Sequence, residues 1–175
     1  MIIDTTYFQG HLMIAQKNQV AISSNLEVMI RQCEDEFLQK ILGYQLYKDF
    51  TAALTGTPAQ KWIDLRDGKE FTDAIGQLNK WVGFKNTDKK SPIANYVYYK
   101  WMENEVSSTT GTGEKKMIFS SSVNYSPGQK MTRAWNEMVI WNRVLYKFLE
   151  VNKDVYSYYV FHSNELFYVL NELGI

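Results

Sequence analysis

The longest regular apolar pattern in the chain runs from Met131 to Leu149, and it constrains the fold more than any other feature. Apolar side chains recur along it at steps of three and four for more than about five turns of 3.6 residues, the spacing of one face of an α-helix. They are Met131, Ala134, Trp135, Met138, Trp141, Leu145, Phe148 and Leu149. We therefore predict a long amphipathic helix whose wide apolar face must be covered by other elements.

A second amphipathic helix is predicted after Ser24, a residue type that commonly caps helix N-termini, and Gly43 is a natural stop for it. Its apolar face consists of Leu26, Ile30, Cys33, Phe37 and Ile41. Oppositely charged residues four apart on the other face modestly support a solvated helix surface. These pairs are Glu27 with Arg31, Arg31 with Asp35, and Glu36 with Lys40.

Shorter helices are predicted between and after these two. One spans 46–54 and ends by Gly56, the next is opened by Pro58 and closed at 67–68, and a third, rich in aromatic residues, begins at Ser91 and runs to about Glu105. Residues 69–90 stay open between short strands and a loop, because glycines interrupt any helix there.

Composition completes the prediction of the fold class. The 175 residues include 45% hydrophobic residues but only 10 Gly and 3 Pro, so one well-packed domain, 1–175, is expected. We predict a mainly α, single-domain helical bundle with room for a short β-hairpin. A long projecting loop, flexible in composition, covers 107–126 and has a brief strand at 117–119, and an aromatic C-terminal segment covers 153–175.

Charge and targeting features narrow the classes of function. The formal net charge is zero, so no overall field attracts the chain to nucleic acid or to an anionic membrane. The start of the chain lacks the features of a signal peptide, and no apolar run reaches the roughly 20 residues that cross a bilayer. We expect a protein made in a reducing cytoplasm and not a membrane protein.

The residue types that carry chemistry are sparse. His11 and His162 are not spaced for zinc, and Cys33 lies on an apolar helix face that would raise its pKa. Carboxylate pairs such as Asp64 with Asp67 are expected to be solvated residues at helix ends. No Gly-x-Ser-x-Gly motif or complete phosphate-binding loop occurs. We predict no cofactor, no metal and no enzymatic activity.

Two lysine pairs, at 89–90 and 115–116, lie near aromatic residues, a combination found in grooves that bind single-stranded nucleic acid. Most of the aromatic residues fall at helical spacing, so packing in the core is the favoured interpretation. Sequence-specific nucleic-acid binding is therefore not expected.

Several short motifs resemble those of the head-to-tail connector proteins (adaptor or head-completion proteins) of tailed bacteriophages, in the form carried by Bacteroides phages and crAss-like phages. The resemblance covers most of the chain. It falls short over 11–23 and over 69–90, where the motif at 81–84 stands alone. The motifs are FLQKILGY at 37–44, LY at 46–47, the 62–68 segment, WVGF at 81–84, SPIANYVYY at 91–99 and NELGI at 171–175.

The resemblance implies a structural virion protein at the phage neck. Such a protein forms a ring, commonly of twelve subunits, that joins the portal protein to the tail or to other neck proteins. DNA passes through its channel without sequence-specific binding. The alternative is a small cytoplasmic adaptor that binds proteins in a bacterial or phage regulatory system.

Both interpretations predict protein partners, and the loop and the C-terminal segment are the candidate contact regions. An apolar C-terminal segment must pack against something, either a neighbouring subunit or its own core, and both possibilities remain open. The candidate partner-binding residues are Lys115, Lys116, Met117, Ile118, Phe119, Phe161, Leu166, Phe167, Tyr168, Leu170, Leu173 and Ile175.

Overall fold

The fold is mainly α-helical, as predicted, in the computed structural model, which describes residues 1–110, 113–116 and 127–171. Three short 3-10 turns, Thr5–Tyr7, Gly10–Leu12 and Glu165–Phe167, lie near the two ends of the chain. The regular elements are α1 (Val20–Leu42), α2 (Tyr44–Ala53), α3 (Gln60–Asp67), β1 (Lys69–Thr72), β2 (Leu78–Trp81), α4 (Pro92–Val106), β3 (Ser107–Thr110), β4 (Gly113–Lys116) and α5 (Pro127–Val151).

Helix α4 is the centre of the bundle. Eight consecutive residues, 91–98, are buried, which requires neighbours on all sides of the helix. α1 and α5 both pack against it. Its buried Asn95 donates hydrogen bonds to the Ala134 carbonyl at 3.0 Å and to Glu137 Oε2 at 3.1 Å. A polar side chain is thus accommodated in the core because α5 supplies acceptors.

Aromatic rings join the helices to the β1–β2 hairpin. Phe37 of α1 contacts Tyr96 of α4 with 5.6 Å between ring centroids. Beyond the hairpin, Phe84 packs edge-on against Trp81 at 5.1 Å, and the Trp81 indole donates to the Leu65 carbonyl at 2.8 Å. The hairpin is therefore anchored by a buried indole with a satisfied N–H group.

Both predicted long amphipathic helices are present. The predicted apolar face of α1 is buried throughout, and Gly43 ends the helix. In α5, the six predicted residues that are buried are Ala134, Trp135, Met138, Leu145, Phe148 and Leu149, while Met131 and Trp141 are half-buried. The predicted ion pair between Glu36 and Lys40 is present at 2.6 Å.

Two predicted helix starts are wrong. α1 begins at Val20, a turn before Ser24, because each residue added to an existing helix gains a backbone hydrogen bond at low entropic cost, as between Ser23 N and Gln19 O at 2.8 Å. α3 begins at Gln60 and not at Pro58, since Ala59 keeps an extended backbone.

Strands occur in both regions where the sequence was ambiguous or flexible in composition. In 69–90, β1 and β2 pair antiparallel, with Phe71 opposite Asn79. Within the predicted loop, β3 follows α4 directly and pairs with β4, Ser107 opposite Lys116. The loop prediction is thus wrong for 107–110 and 113–116, where backbone pairing overrides the composition. The brief strand predicted at 117–119 lies outside the described residues.

Candidate interaction surface

One face of α5 carries side chains that fasten the C-terminal segment. Trp135 and Asn142 are seven residues apart, as are Asn136 and Arg143, so each pair lies on the same side of the helix two turns apart. All four side chains have N–H groups that donate to backbone carbonyls of residues 166–170. We call residues 164–170 the strap.

The strap runs antiparallel to α5. Near the middle of α5, Asn142 Nδ2 donates to the Leu166 carbonyl at 2.8 Å. Nearer its start, the Asn136 amide group donates to the Leu170 carbonyl at 2.9 Å and accepts from the Leu170 N–H at 2.7 Å. Asn136 therefore satisfies the backbone as a neighbouring strand would, and an extended segment is held without a sheet.

The other end of the strap caps α1. Asn164 Nδ2 donates to the carbonyl of Lys40 at 2.9 Å, one of the C-terminal carbonyls of α1 that has no partner within the helix. The Lys40 ammonium bridges Glu36 at 2.6 Å and Glu165 at 2.7 Å. Although partial burial opposes the charge of Lys40, these two carboxylates raise its pKa.

The predicted contact residues of the C-terminal segment divide into two groups. Leu166 and Phe167 are buried against the chain's own core, and Leu170 is half-buried. Phe161 and Tyr168 are exposed, together with neighbours that were not predicted as contact residues. The exposed fractions are 63% for Tyr158, 61% for Val160, 40% for Phe161, 61% for Tyr168 and 54% for Val169.

These exposed residues, Tyr158, Val160, Phe161, Tyr168 and Val169, are called the outward apolar residues below. Two of them are held in place by contacts within the segment and with α5. The Phe161 ring lies 5.0 Å from that of Phe167 and 4.6 Å from that of Tyr146, and the Tyr168 hydroxyl lies 2.7 Å from Ser163 Oγ. The outward apolar residues therefore belong to a segment with defined side-chain contacts.

The remaining predicted contact residues are only partly placed. Lys115 and Lys116 lie on β4, opposite Ser108 and Ser107 in the register of the hairpin. Residues 117–119, Leu173 and Ile175 lie outside the described residues.

Sequence reasoning missed the amide side chains that hold the strap, although a signal was present. Asn142 interrupts the apolar face of α5, and asparagine is an unfavourable residue inside a helix. A buried polar residue at such a position must find a hydrogen-bond partner, and this partner is a segment 24 residues further along the chain. The interruption indicates a polar contact, but not its partner.

Groups considered for catalysis have structural partners. Asp64 is paired with Lys69 at 2.6 Å, and Arg66 holds Asp67 through two hydrogen bonds of 2.7 Å. Partial burial opposes ionisation of Asp64, but the hydrogen bonds from Lys69 and Gln60 lower its pKa. The two carboxylates thus stabilise the end of α3.

Cys33 and His11 also have structural surroundings that account for them. Cys33 is buried on the apolar face of α1, and desolvation raises the pKa of its thiol to about 11. His11 lies 2.7 Å from Glu137 on α5. In the part of the chain that the structure describes, no group of three or more His, Cys, Asp or Glu side chains could hold a metal ion. Within the same residues, no helix is long and apolar enough to cross a membrane.

No protein-family model, curated protein or solved structure matches this chain.

Proposed function

We propose that this chain is a structural assembly protein that binds neighbouring protein subunits through the outward apolar residues of its C-terminal segment. The single observation that carries the proposal is that an ordered segment, held by side chains of α5, presents large apolar groups to solvent. Several large apolar side chains exposed on one short segment are costly to leave in water and are typical of binding sites, and tyrosine is enriched at protein interfaces.

The assembly that we propose is a ring in the neck of a tailed phage, joining the portal to the tail and continuing the DNA channel. This part of the proposal rests on the resemblance of the motifs at 37–44, 62–68, 81–84 and 91–99. In the structure these motifs include the end of α1, most of α3 and the start of the central helix α4. They are largely core segments, so they support a shared fold more than a shared surface.

The proposal is tested by substitutions that keep the core intact. Deleting 163–175 would remove the buried Leu166 and Phe167 and destabilise the monomer by about 1.5–3 kcal/mol for each residue, confusing folding with assembly. The variant Tyr168→Ser with Val169→Asp changes only exposed side chains. Its matched control is Val28→Asp with Val20→Ser, which alters two exposed residues of α1.

Mass measurement and negative-stain microscopy of the full chain, alone and with the portal protein encoded by the same genome, give the readout. We expect rings from the natural chain and the control, and monomers with an unchanged melting temperature from the strap variant. Normal ring formation by the strap variant would contradict the role of the outward apolar residues. A natural chain that stays monomeric with the portal protein, or forms a one-to-one complex with a regulatory protein, would contradict the ring.

A further inference from the structure

A cleft of about 720 Å³ lies between the N-terminal segment, the end of α3, β2 and the loop 82–90. Its charge departs from that of the chain as a whole, which is neutral. Two carboxylates, Asp67 and Asp88, line it against five cationic side chains, so the local balance is strongly positive. The cationic residues are Arg66, Lys80, Lys85, Lys89 and Lys90.

Some of these charges are already engaged within the chain. Arg66 is neutralised by Asp67, and the Lys89 ammonium lies over the Tyr7 ring, 4.7 Å from its centroid. Just outside the cleft, Asp4 accepts a hydrogen bond from Thr6, which lowers its pKa, and Lys89 and Lys85 lower it further.

Lys80, Lys85 and Lys90 remain exposed and have no ion-pair partner among the residues that the structure describes. Glu70 lies opposite Lys80 in the hairpin register without forming an ion pair. Three cations in one cleft are therefore without an ion pair among the described residues, although Asp88 lines the same cleft and Asp4 interacts with Lys85 at longer range.

The cleft is built from tightly fixed backbone. Gly68 and Gly83 have φ values of 93° and 84°, and their backbones pack against each other so closely that a Cβ atom on Gly68 would lie 2.4 Å from the Trp81 carbonyl oxygen. No residue with a side chain fits at either position. The loop that follows thus starts from a defined point beside α3.

Asn86 organises the rest of the loop. Its side chain donates to the carbonyls of Val82, at 3.1 Å, and Lys90, and accepts from the Lys90 N–H at 3.0 Å. Its backbone N–H donates to the Tyr7 hydroxyl at 3.1 Å. Neutral hydrogen bonds therefore hold Lys85 and Lys90 near like charges, an arrangement that favours an added anion.

We propose that this cleft binds the phosphodiester backbone of a nucleic acid. The unpaired lysines come from separate points of the cleft wall, Lys80 from β2 and Lys85 and Lys90 from the loop, which suits successive phosphates better than one small anion. Trp141, half-buried on α5, adds an aromatic surface in the same cleft. Backbone contacts read no sequence, so binding is sequence-independent. The site is complete in one subunit and does not depend on ring assembly.

Fluorescence anisotropy of labelled single-stranded and duplex oligonucleotides of two unrelated sequences, titrated with the full chain at about 50 mM and higher salt, tests the proposal. The test variant is Lys85→Gln with Lys90→Gln. The control variant, Lys48→Gln with Lys153→Gln, removes the same charge from exposed positions outside the cleft. Circular dichroism checks that both variants fold. Inorganic pyrophosphate serves as the competing free anion.

We expect sequence-independent binding that weakens about tenfold or more in the test variant, with the salt dependence on a single strand falling by about 0.7 for each lost contact. The control should bind within about twofold of the natural chain, since it keeps the cleft. Absence of oligonucleotide binding at low salt, or an equal loss in both variants, overturns the proposal. It is also overturned if pyrophosphate binds through Lys85 and Lys90 while oligonucleotides do not.

Discussion

The two ends of the chain are fastened to the helices in similar ways, but they differ in how many of their large apolar side chains are buried. The N-terminal segment, residues 1–19, exposes Met1 and Met13 but buries its other large apolar side chains, which are Ile2, Ile3, Tyr7, Phe8, Leu12 and Ile14. The C-terminal segment buries Tyr156, Leu166 and Phe167 but turns the outward apolar residues to solvent. Both ends help to close the core, but the exposed apolar residues of the C-terminal segment are more numerous and include three aromatic rings.

Weaker attachment of one end does not account for this difference, because specific hydrogen bonds hold both terminal segments to the helices. At the N-terminus, the Glu34 carboxylate accepts from the backbone N–H groups of Ile2 and Ile3, and Lys17 donates to the Phe8 carbonyl at 2.7 Å. At the C-terminus, amide side chains of α5 hold the strap. The two ends are therefore fastened alike but differ in how much apolar surface they expose, and the proposed assembly role rests on this difference.

The largest effect that would separate the two ends is expected from Phe8→Ala. Phe8 is fully buried, so its truncation should lower the free energy of unfolding by about 3–5 kcal/mol, measured by chemical denaturation. The matched variant at the other end, Tyr168→Ala, removes an exposed ring and should change it by no more than about 0.5 kcal/mol. A large loss from Tyr168→Ala would show that this residue stabilises the monomer, which would contradict the proposed difference between the two ends.

The next effect concerns the hold on the strap. Asn142 is fully buried, its amide N–H group satisfies the Leu166 carbonyl, and its own Oδ1 has no hydrogen-bond partner among the described residues. Asn142→Ala should cost about 1–3 kcal/mol, since it leaves a buried carbonyl unpaired. Amide exchange should also quicken in residues 164–170.

The control is Asn152→Ala, because within the described residues the Asn152 side chain bonds only to the Phe148 carbonyl of the preceding helical turn. We expect a smaller loss and unchanged exchange in the strap. If Asn142→Ala left the exchange of 164–170 unchanged, the strap would be held by its buried side chains and not by the amides of α5.

A similar loss, with a pH dependence, is expected at the N-terminal end. Burial raises the pKa of Glu34 above 4.5, although hydrogen bonds from Ile2 and Ile3 oppose the shift. The folded state therefore binds a proton more readily than the unfolded state, so this group's contribution to stability falls as pH rises through the window above 4.5.

Glu34→Gln should lower the free energy of unfolding by about 1–3 kcal/mol, because a neutral amide replaces an oxygen that accepts a buried N–H group. The loss should be larger near pH 4.5 than at neutral pH, as measured by denaturation across this range. Glu27→Gln makes the same change at an exposed position of α1 and should have little effect. A loss that grows as pH rises would contradict the raised pKa.

The helical layers of this fold could be predicted from the sequence, whereas the fastening of the ends could not. The apolar faces of α1 and α5 repeat with a helical period, so Phe37 and Met138 are recognisably core residues. Phe8 and Leu166 lie in short irregular segments without a period. The hydrogen bonds that hold these segments come from distant residues, Glu34 to Ile3 across 31 positions and Asn142 to Leu166 across 24, and local patterns do not encode them.

The smallest expected effect is at Glu165, and it has the opposite pH dependence from that at Glu34. The hydrogen bond from Lys40 lowers the pKa of Glu165, so its contribution is full above 4.5 and is lost as pH falls through the lowered value. Both side chains are partly exposed, so Glu165→Gln should cost only about 0.2–1 kcal/mol at neutral pH. Salt of about 1 M should abolish the loss by screening.

The control variant, Glu36→Gln, breaks the other bridge to Lys40 within α1, and should weaken the helix without changing amide exchange in the strap. A salt-independent loss at Glu165 would mean that packing, rather than charge, fastens this end of the strap.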